Sequence, residues 1–538
     1  MAHLVAIASC LTVAIYVVCR YYLHNYASKR LPLPPGPKGL PVLGNILDLP
    51  KKGQPEFQHF LKHRELYGPI SSTTVLGKTF ILLHDRQVAQ DLLQKESLKT
   101  SDRPITEFAF TMCRLDEFMV SRCNADFRHR RKLLHQQLGT AKLVGRFDDS
   151  QESASLEFLL RVLNEPNATV EHLKCSMGSL ILKMTYGYAV GSSNTDPLVD
   201  LVDRMANNLV EATVPWLVDF FPALRHLPNG FPGAGFKRTA RKFKRVNLAV
   251  VNIPYSFVRR QMAVGNHRPS YVSQLVEECS TGDTDYKLRD VDEYAIKRTA
   301  AALYLGGAET TVTALTGFLL AMAKFPEVQK KAQEAIDLVI GTDRLPSLAD
   351  RERLPYVDAM VKEVFRWSPV APLAFPHGVG EDIEYRGHLI PKGSVLLPMV
   401  WWFLNDPEIH FDPRSFNPDR FLAPQNEPDP KAVVFGYGRR VCPGKYFSDS
   451  NIFIVVAQLL AAFNIRKDVD ENGVEIEPEL DALPGLITHL KKFPFKIEVR
   501  SPKHAELIRQ AGLKLPQQDG DRHIIDHAAI KECLEYRG

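Results

Sequence analysis

The chain has 538 residues, 45% hydrophobic and 24% charged, which excludes a disordered chain, a collagen, a coiled coil and a polytopic membrane protein. Its formal charge, 67 − 62 = +5, is too weak a bias for a protein built chiefly to hold nucleic acid. Eight cysteines without a CxxC pair exclude a disulfide scaffold and a zinc finger, so each is judged alone.

Leu4 to Cys19 is apolar, interrupted only by Ser9 and Thr12, and Arg20, Lys29, Arg30 and Lys38 follow it. About 20 apolar residues span a bilayer, and positive charge after the run keeps the remainder in the cytosol. The expectation is a retained single-pass anchor over residues 1–30 in the endoplasmic reticulum membrane. A cleaved signal is the alternative, in which Asn167-Ala168-Thr169 becomes a glycosylation acceptor. Leu33-Pro34-Pro35-Gly36-Pro37 makes 31–42 a stiff Pro/Gly-rich hinge.

A short helix and a hairpin, Ile70–Val75 with Thr79–Leu83, are expected next. From about 124 to 340 the apolar spacing is helical, over 152–164, 173–187, 197–214, 236–262 and 292–324. Between them, Pro215–Pro222 and a basic helix start at Lys237–Arg245 suit a membrane interface or substrate lid, or equally a core segment beside a solvated face. Strands return over 381–404, a polar loop spans Pro424–Pro430, and a long helix covers 445–463. His523–Tyr536 has helical spacing, packed on the body or frayed. The fold class is mainly α with small β-sheets.

Phe435-Gly436-Tyr437-Gly438-Arg439-Arg440-Val441-Cys442-Pro443-Gly444 is the most informative stretch. Its glycines let a flat object approach the backbone, and Cys442 sits just before a helix that Lys445 opens. A thiolate there suits a nucleophile, a redox sensor or a metal ligand. The other cysteines read as inert.

That string fits F-x-x-G-x-R-x-C-x-G throughout, and the chain from about 34 to 510 resembles a membrane-bound eukaryotic cytochrome P-450. The resemblance implies haem b with Cys442 as axial thiolate and metal ligand, bedded against Phe435 and Gly436. Glu363-Val364-Phe365-Arg366 and Phe416-Asn417-Pro418-Asp419-Arg420 look like the family's buried Glu-Arg-Arg network. Two glycines within Leu305-Gly306-Gly307-Ala308-Glu309-Thr310 weaken a helix by about 1 kcal/mol each, a penalty that a ring or O2 against the backbone would explain. Glu309 and Thr310 match the acid–alcohol pair that delivers protons during catalysis. Arg440, Arg131 and His377 match propionate contacts, although Phe127 replaces the tryptophan usual four residues before Arg131.

The resemblance further implies a catalytic domain over 43–511 and a C-terminal extension over 512–538. The expected activity inserts one oxygen atom of O2 into an apolar terpenoid, polyketide, fatty or aromatic compound, in secondary metabolism or xenobiotic oxidation. No flavin or nicotinamide motif is present, so electrons are expected from NADPH-cytochrome P-450 reductase, with cytochrome b5 as a further donor. Arg128, Arg130, Lys132, Arg439 and Lys445 are candidates for docking it. The pocket is expected along Ile105–Val120, 205–230, 300–310, 370–375 and 483–487, with Phe108, Phe110, Phe375 and Leu486 making it apolar. Competing readings are a haem-thiolate isomerase or dehydratase that needs neither O2 nor reductase, and a membrane-anchored binding protein without haem.

Overall fold

The computed structural model describes residues 14, 31–115, 122–191, 196–280, 286–516, 519–525 and 527–535. The expected anchor over 1–30 therefore lies outside the described residues, apart from residue 14. The chain divides into two compact units, described separately below.

The first unit comprises residues 1–104, 373–399 and 437–439. Helix α1 (Glu56–Tyr67) precedes β1 (Ile70–Val75) and β2 (Lys78–Leu83), and β3 (His377–Gly378), β4 (Ile383–Tyr385), β5 (His388–Ile390) and β6 (Val395–Pro398) follow. The mixed sheet runs β1-β2-β6-β3, with β2 parallel to β6 through Phe80↔Val395 to Leu83↔Pro398. The expected hairpin forms with Ile70 opposite Leu83. Between Arg86 and Thr100 the chain makes short helical turns beyond the expected short helix and hairpin. Asp85 starts them by accepting the Val88 N–H at 2.9 Å.

A buried polar chain ties α1 to this sheet. The imidazole Nε2 of His63 meets Asp48 Oδ2 at 2.7 Å, His63 Nδ1 lies 3.3 Å from Ser71 Oγ, and Ser71 Oγ lies 2.9 Å from His84 Nε2. The order resembles an acid–base–nucleophile relay, but Ser71 is fully enclosed, so its role is structural. Burial pushes His84 down to about 3, and its Nδ1 has no hydrogen-bond partner among the described residues. Below pH 6.5 an unfolded imidazole takes up a proton that folded His84 refuses, so stability is complete above 6.5 and falls as pH drops towards 3. The slope from this group is about 1.4 kcal/mol per pH unit. Denaturant titrations at pH 7, 6 and 5 should show a shallower loss in His84→Gln; an unchanged slope would remove His84 as a cause.

The second unit comprises residues 105–372, 400–436 and 440–538 and is chiefly helical. Its helices are α2 (Ala125–Leu138), α3 (Asp148–Asn164), α4 (Thr169–Tyr186), α5 (Pro197–Thr213), α6 (Gly235–Ala263), α7 (Tyr271–Cys279), α8 (Asp290–Lys324), α9 (Pro326–Ile340), α10 (Pro355–Trp367), α11 (Lys445–Ala462), α12 (Pro502–Gly512) and α13 (His527–Glu535). β7 (Phe463–Lys467) pairs antiparallel with β8 (Phe495–Val499).

Helix α8 is the centre of this unit and packs against α2, α4, α6, α7 and α11. Its first turn carries Asp290, Asp292 and Glu293 and its last Lys324, matching the helix dipole. It is long and apolar enough to cross a membrane, yet two-thirds of its most apolar window is buried within the protein, as in a core helix. The run Val400-Trp401-Trp402-Phe403-Leu404, expected within a strand, is helical over Val400–Asn405. Its buried residues Val400, Phe403 and Leu404 fall at i, i+3 and i+4, so the helical period overrides the β-propensity of the aromatics.

The C-terminal extension packs on the body. Helix α13, shorter than the expected His523–Tyr536, lies against α5 and α6 and buries Ile530, with Ile525 buried just before it. Buried Asp521 accepts the Ala189 N–H at 2.8 Å and binds the Arg268 guanidinium. Arg245 on α6 pairs with Glu532 at 3.2 Å.

Candidate haem-thiolate site

Cys442 stands three residues before α11, and its N–H donates to Phe435 O at 2.7 Å, closing the loop on itself. Gly436 takes a φ of +78° within that loop, a conformation that favours glycine. Burial pushes the Cys442 thiol up, while the Gly444 N–H, Arg131 and Lys445 pull it back towards thiolate. By contrast, burial, with the Asp219 and Glu211 carboxylates adding to it, pushes Cys113 up to about 12 with nothing opposing. Cys113, Cys175, Cys279 and Cys533 are free thiols like Cys442, while Cys10 and Cys19 fall outside the described residues.

The loop is braced from behind by buried charge. Glu363 on α10 holds Arg366 through bonds of 2.7 and 2.8 Å and Arg420 at 3.1 Å, and accepts the Asn417 N–H at 2.8 Å. The guanidinium of Arg366 also donates to the carbonyls of Leu404, Pro413 and Ser415. Arg420 donates to Phe411 O at 2.9 Å and to both carboxylate oxygens of Glu427, whose Oε2 also meets His410 Nδ1 at 2.6 Å. Phe365, between Glu363 and Arg366, meets Phe435 edge-on with ring centroids 5.2 Å apart. The network thus reaches the cysteine loop through one aromatic contact.

Asn124 caps α2 by accepting the Phe127 N–H at 2.9 Å, which sets the register that brings Arg131 to the loop. The Arg131 guanidinium donates to Val441 O at 2.8 Å and has no carboxylate within ion-pair distance among the described residues. Burial pushes it down from its ordinary value, with Cys442 opposing. Phe127 has a role the sequence did not suggest: its ring lies 3.8 Å beneath the Arg440 guanidinium. A cation over an aromatic face thus holds Arg440, although the ring offers no N–H in place of an indole's. Histidine 377 lies in the first unit, where Nδ1 is 2.8 Å from Thr100 O. Donation from Nδ1 leaves the neutral ring a lone pair at Nε2, so it would face a carboxylate only when protonated. Arg103 fixes the preceding turn through Phe375 O and Pro376 O.

On α8, Thr310 Oγ1 donates to Gly306 O at 2.6 Å, Thr311 Oγ1 to Gly307 O at 2.9 Å and Thr313 Oγ1 to Glu309 O at 3.0 Å. Such back-bonding loosens and bends a helix locally. A Cβ on Gly307 would meet Ile181 of α4 at 2.7 Å, so helix packing accounts for this glycine without a ligand. His489 Nδ1 lies 3.5 Å from Glu309 Oε1, a partner absent from the motif reading because it stands 180 residues away in the sequence.

The arrangement fits a flat, doubly anionic group. Residues 306–310 are half-exposed within a helix otherwise buried over Ala300–Leu305 and Thr311–Leu315, and Phe435, Gly436 and Val441–Tyr446 are half-exposed as well. Phe435, Gly436 and Val441–Tyr446 belong with α8 to the second unit, as does the Arg131 guanidinium, which has no carboxylate within ion-pair distance among the described residues. Of the expected pocket wall, Phe108 is fully buried, stacked on Trp216 at 4.1 Å with its N–H on Asp219, so it is core; Phe110 is buried too. Val120 lies outside the described residues.

This fold and loop define a haem-thiolate protein: the chain matches the cytochrome P450 family over residues 34–496 and belongs to it. It is 43% identical over 507 residues to the multifunctional cytochrome P450 monooxygenase af510 of Aspergillus fumigatus, covering 93% of this chain and 94% of the relative. It is 45% identical over 514 residues to the cytochrome P450 monooxygenase CLM2 of Gibberella zeae, covering 95% and 97%. The O-methylsterigmatocystin oxidoreductase of Aspergillus flavus is 36% identical over 497 residues, covering 91% and 92%. The chain is a cytochrome P450 monooxygenase of the fungal type, and its cofactor is haem b with a cysteine axial ligand.

Proposed function

We propose that this monooxygenase inserts one atom of O2 into a C–H or C=C bond of an apolar small molecule. The observation that supports this most is the Cys442 loop, closed by its own hydrogen bond and set three residues before α11. When bound, a thiolate-ligated haem supplies O2 binding and O–O cleavage. Cys442 would be its axial ligand, Phe435 and Gly436 would bed the ring, and Arg131 and Arg440, with His377, would hold the propionates. Glu309 would hold a proton at its carboxylate, and Thr310 would receive it at Oγ1, the atom now bonded to Gly306 O.

Residues 1–30 would anchor the protein in the endoplasmic reticulum, 31–42 form the hinge, 43–511 the catalytic body facing the cytosol and 512–538 the extension. Leu217 and Phe231 are exposed around a groove of about 1040 Å³, and Phe221 is exposed nearby in sequence, which supports contact of this segment with membrane lipid. NADPH-cytochrome P-450 reductase, with cytochrome b5 as a further donor, would supply electrons. Arg128 and Lys132 on α2 are exposed and suit an acidic partner, whereas Arg130 is buried and paired with Asp126, so it leaves the docking set.

The purified protein, reduced under CO, should show the thiolate-haem Soret band, and product formation from a metabolite extract should require NADPH, reductase and O2 together. Turnover without O2 would instead establish the isomerase reading. No haem uptake would leave only a binding protein.

A further inference from the structure

We propose that His489, on the loop before β8, is the residue that positions Glu309, a role that rests on the monooxygenase reading above. Thr313 has a single hydroxyl proton and gives it to Glu309 O at 3.0 Å. Its oxygen, 3.3 Å from His489 Nδ1, can therefore only accept. That places the ring hydrogen on Nδ1, and the same N–H lies 3.5 Å from Glu309 Oε1. The first contact is a long hydrogen bond to the hydroxyl, and the second a charge contact with the carboxylate.

The imidazole is well placed to act as a fixed post. Thr488 N–H donates to Val370 O at 2.9 Å, and His489 O accepts the Leu483 N–H at 2.8 Å, so the backbone on both sides is tied down. Ala482 bridges Leu490 to close the turn. Glu309 itself sits on a stretch of α8 whose carbonyls are engaged by threonines and whose side chains are half-exposed. A carboxylate there has several rotamers open to it unless a donor selects one. The other charge that bears on Glu309 is repulsive: Asp203 on α5, whose carboxyl is pushed up by burial and by Glu309, with Lys174 on α4 opposing. Without His489, that repulsion would favour other Glu309 rotamers.

The probe is carbon monoxide on the reduced holoenzyme, whose infrared stretch reads the polarity of its surroundings. Wild type is expected to give one narrow band. His489→Phe removes the donor and should add a second band, reflecting a shift of about ten-fold in the ratio of Glu309 conformers. His489→Asn returns an N–H to the Nδ1 position and should restore the single band. His489→Ala serves should phenylalanine not be accommodated. In a Glu309→Gln background, His489→Phe should add nothing further. A single band in His489→Phe, splitting in His489→Asn, or splitting that persists in the Glu309→Gln background would each overturn the proposal. Absence of the CO-bound Soret band in wild type would overturn the haem reading instead.

Discussion

Glu363→Ala is expected to give the largest loss of stability of any single substitution in this chain. Glu363 and Arg366 are fully enclosed and Arg420 is 2% exposed, so neither guanidinium could recover its lost partner from water. Breaking a buried ion pair by removing one side costs about 3–5 kcal/mol, because the remaining charge stays buried. Here one carboxylate serves two arginines and the Asn417 N–H, which places the expectation at the upper end. The thermal midpoint of the folded fraction should fall by on the order of 10 °C. Glu363→Gln keeps the shape and one carbonyl acceptor and should fall in between. Phe365 and Phe435 carry the damage to the cysteine loop, so haem content should drop in parallel with stability. Full haem loading with an unchanged midpoint in Glu363→Ala would show that Arg366 is held adequately by backbone carbonyls and Arg420 by these and Glu427.

The motif residues were legible because the constraint on each is local. Cys442 needs a glycine-containing loop before a helix, and a linear string records that. The long helices were legible because their apolar positions repeat with the helical period, and α8 was recognisable as buried because its apolar positions go nearly all round. What the sequence could not reveal were partners set by tertiary packing. His489 meets Glu309 only because a turn tied to Val370 brings it there. Phe127, at the usual tryptophan position, looked like a lost donor, and only the ring beneath Arg440 shows what it contributes. Gly307 invited a ligand explanation, while the actual close neighbour is Ile181, more than a hundred residues earlier. The basic cluster on α2 suffered the same way: Arg130 reads as surface charge beside Arg128 and Lys132, yet the helical turn buries it against Asp126 and the Tyr294 ring.

Cys442→Ser is expected to abolish monooxygenase activity while leaving the protein folded, which separates the site from its scaffold. The sulfur accepts the Gly444 N–H and lies in the field of Arg131 and Lys445, and a hydroxyl of similar size can accept the same N–H. The loop closure is made by backbone, Cys442 N–H to Phe435 O, and survives the change. Stability measured without haem should therefore move by less than about 1 kcal/mol, within the range for a substitution that creates no cavity and no unsatisfied group. Function should respond quite differently, because a neutral hydroxyl gives iron far less electron density than a thiolate. The CO-bound Soret band should leave its thiolate position, and product formation should fall by at least about 1000-fold, or roughly 4 kcal/mol of barrier. The pairing of outcomes is the discriminating part. Glu363→Ala lowers the apoprotein's midpoint and loses haem as a consequence, whereas Cys442→Ser keeps the midpoint and loses the chemistry. A serine variant that retained the thiolate Soret band would move the iron ligand to another residue and remove Cys442 from the site.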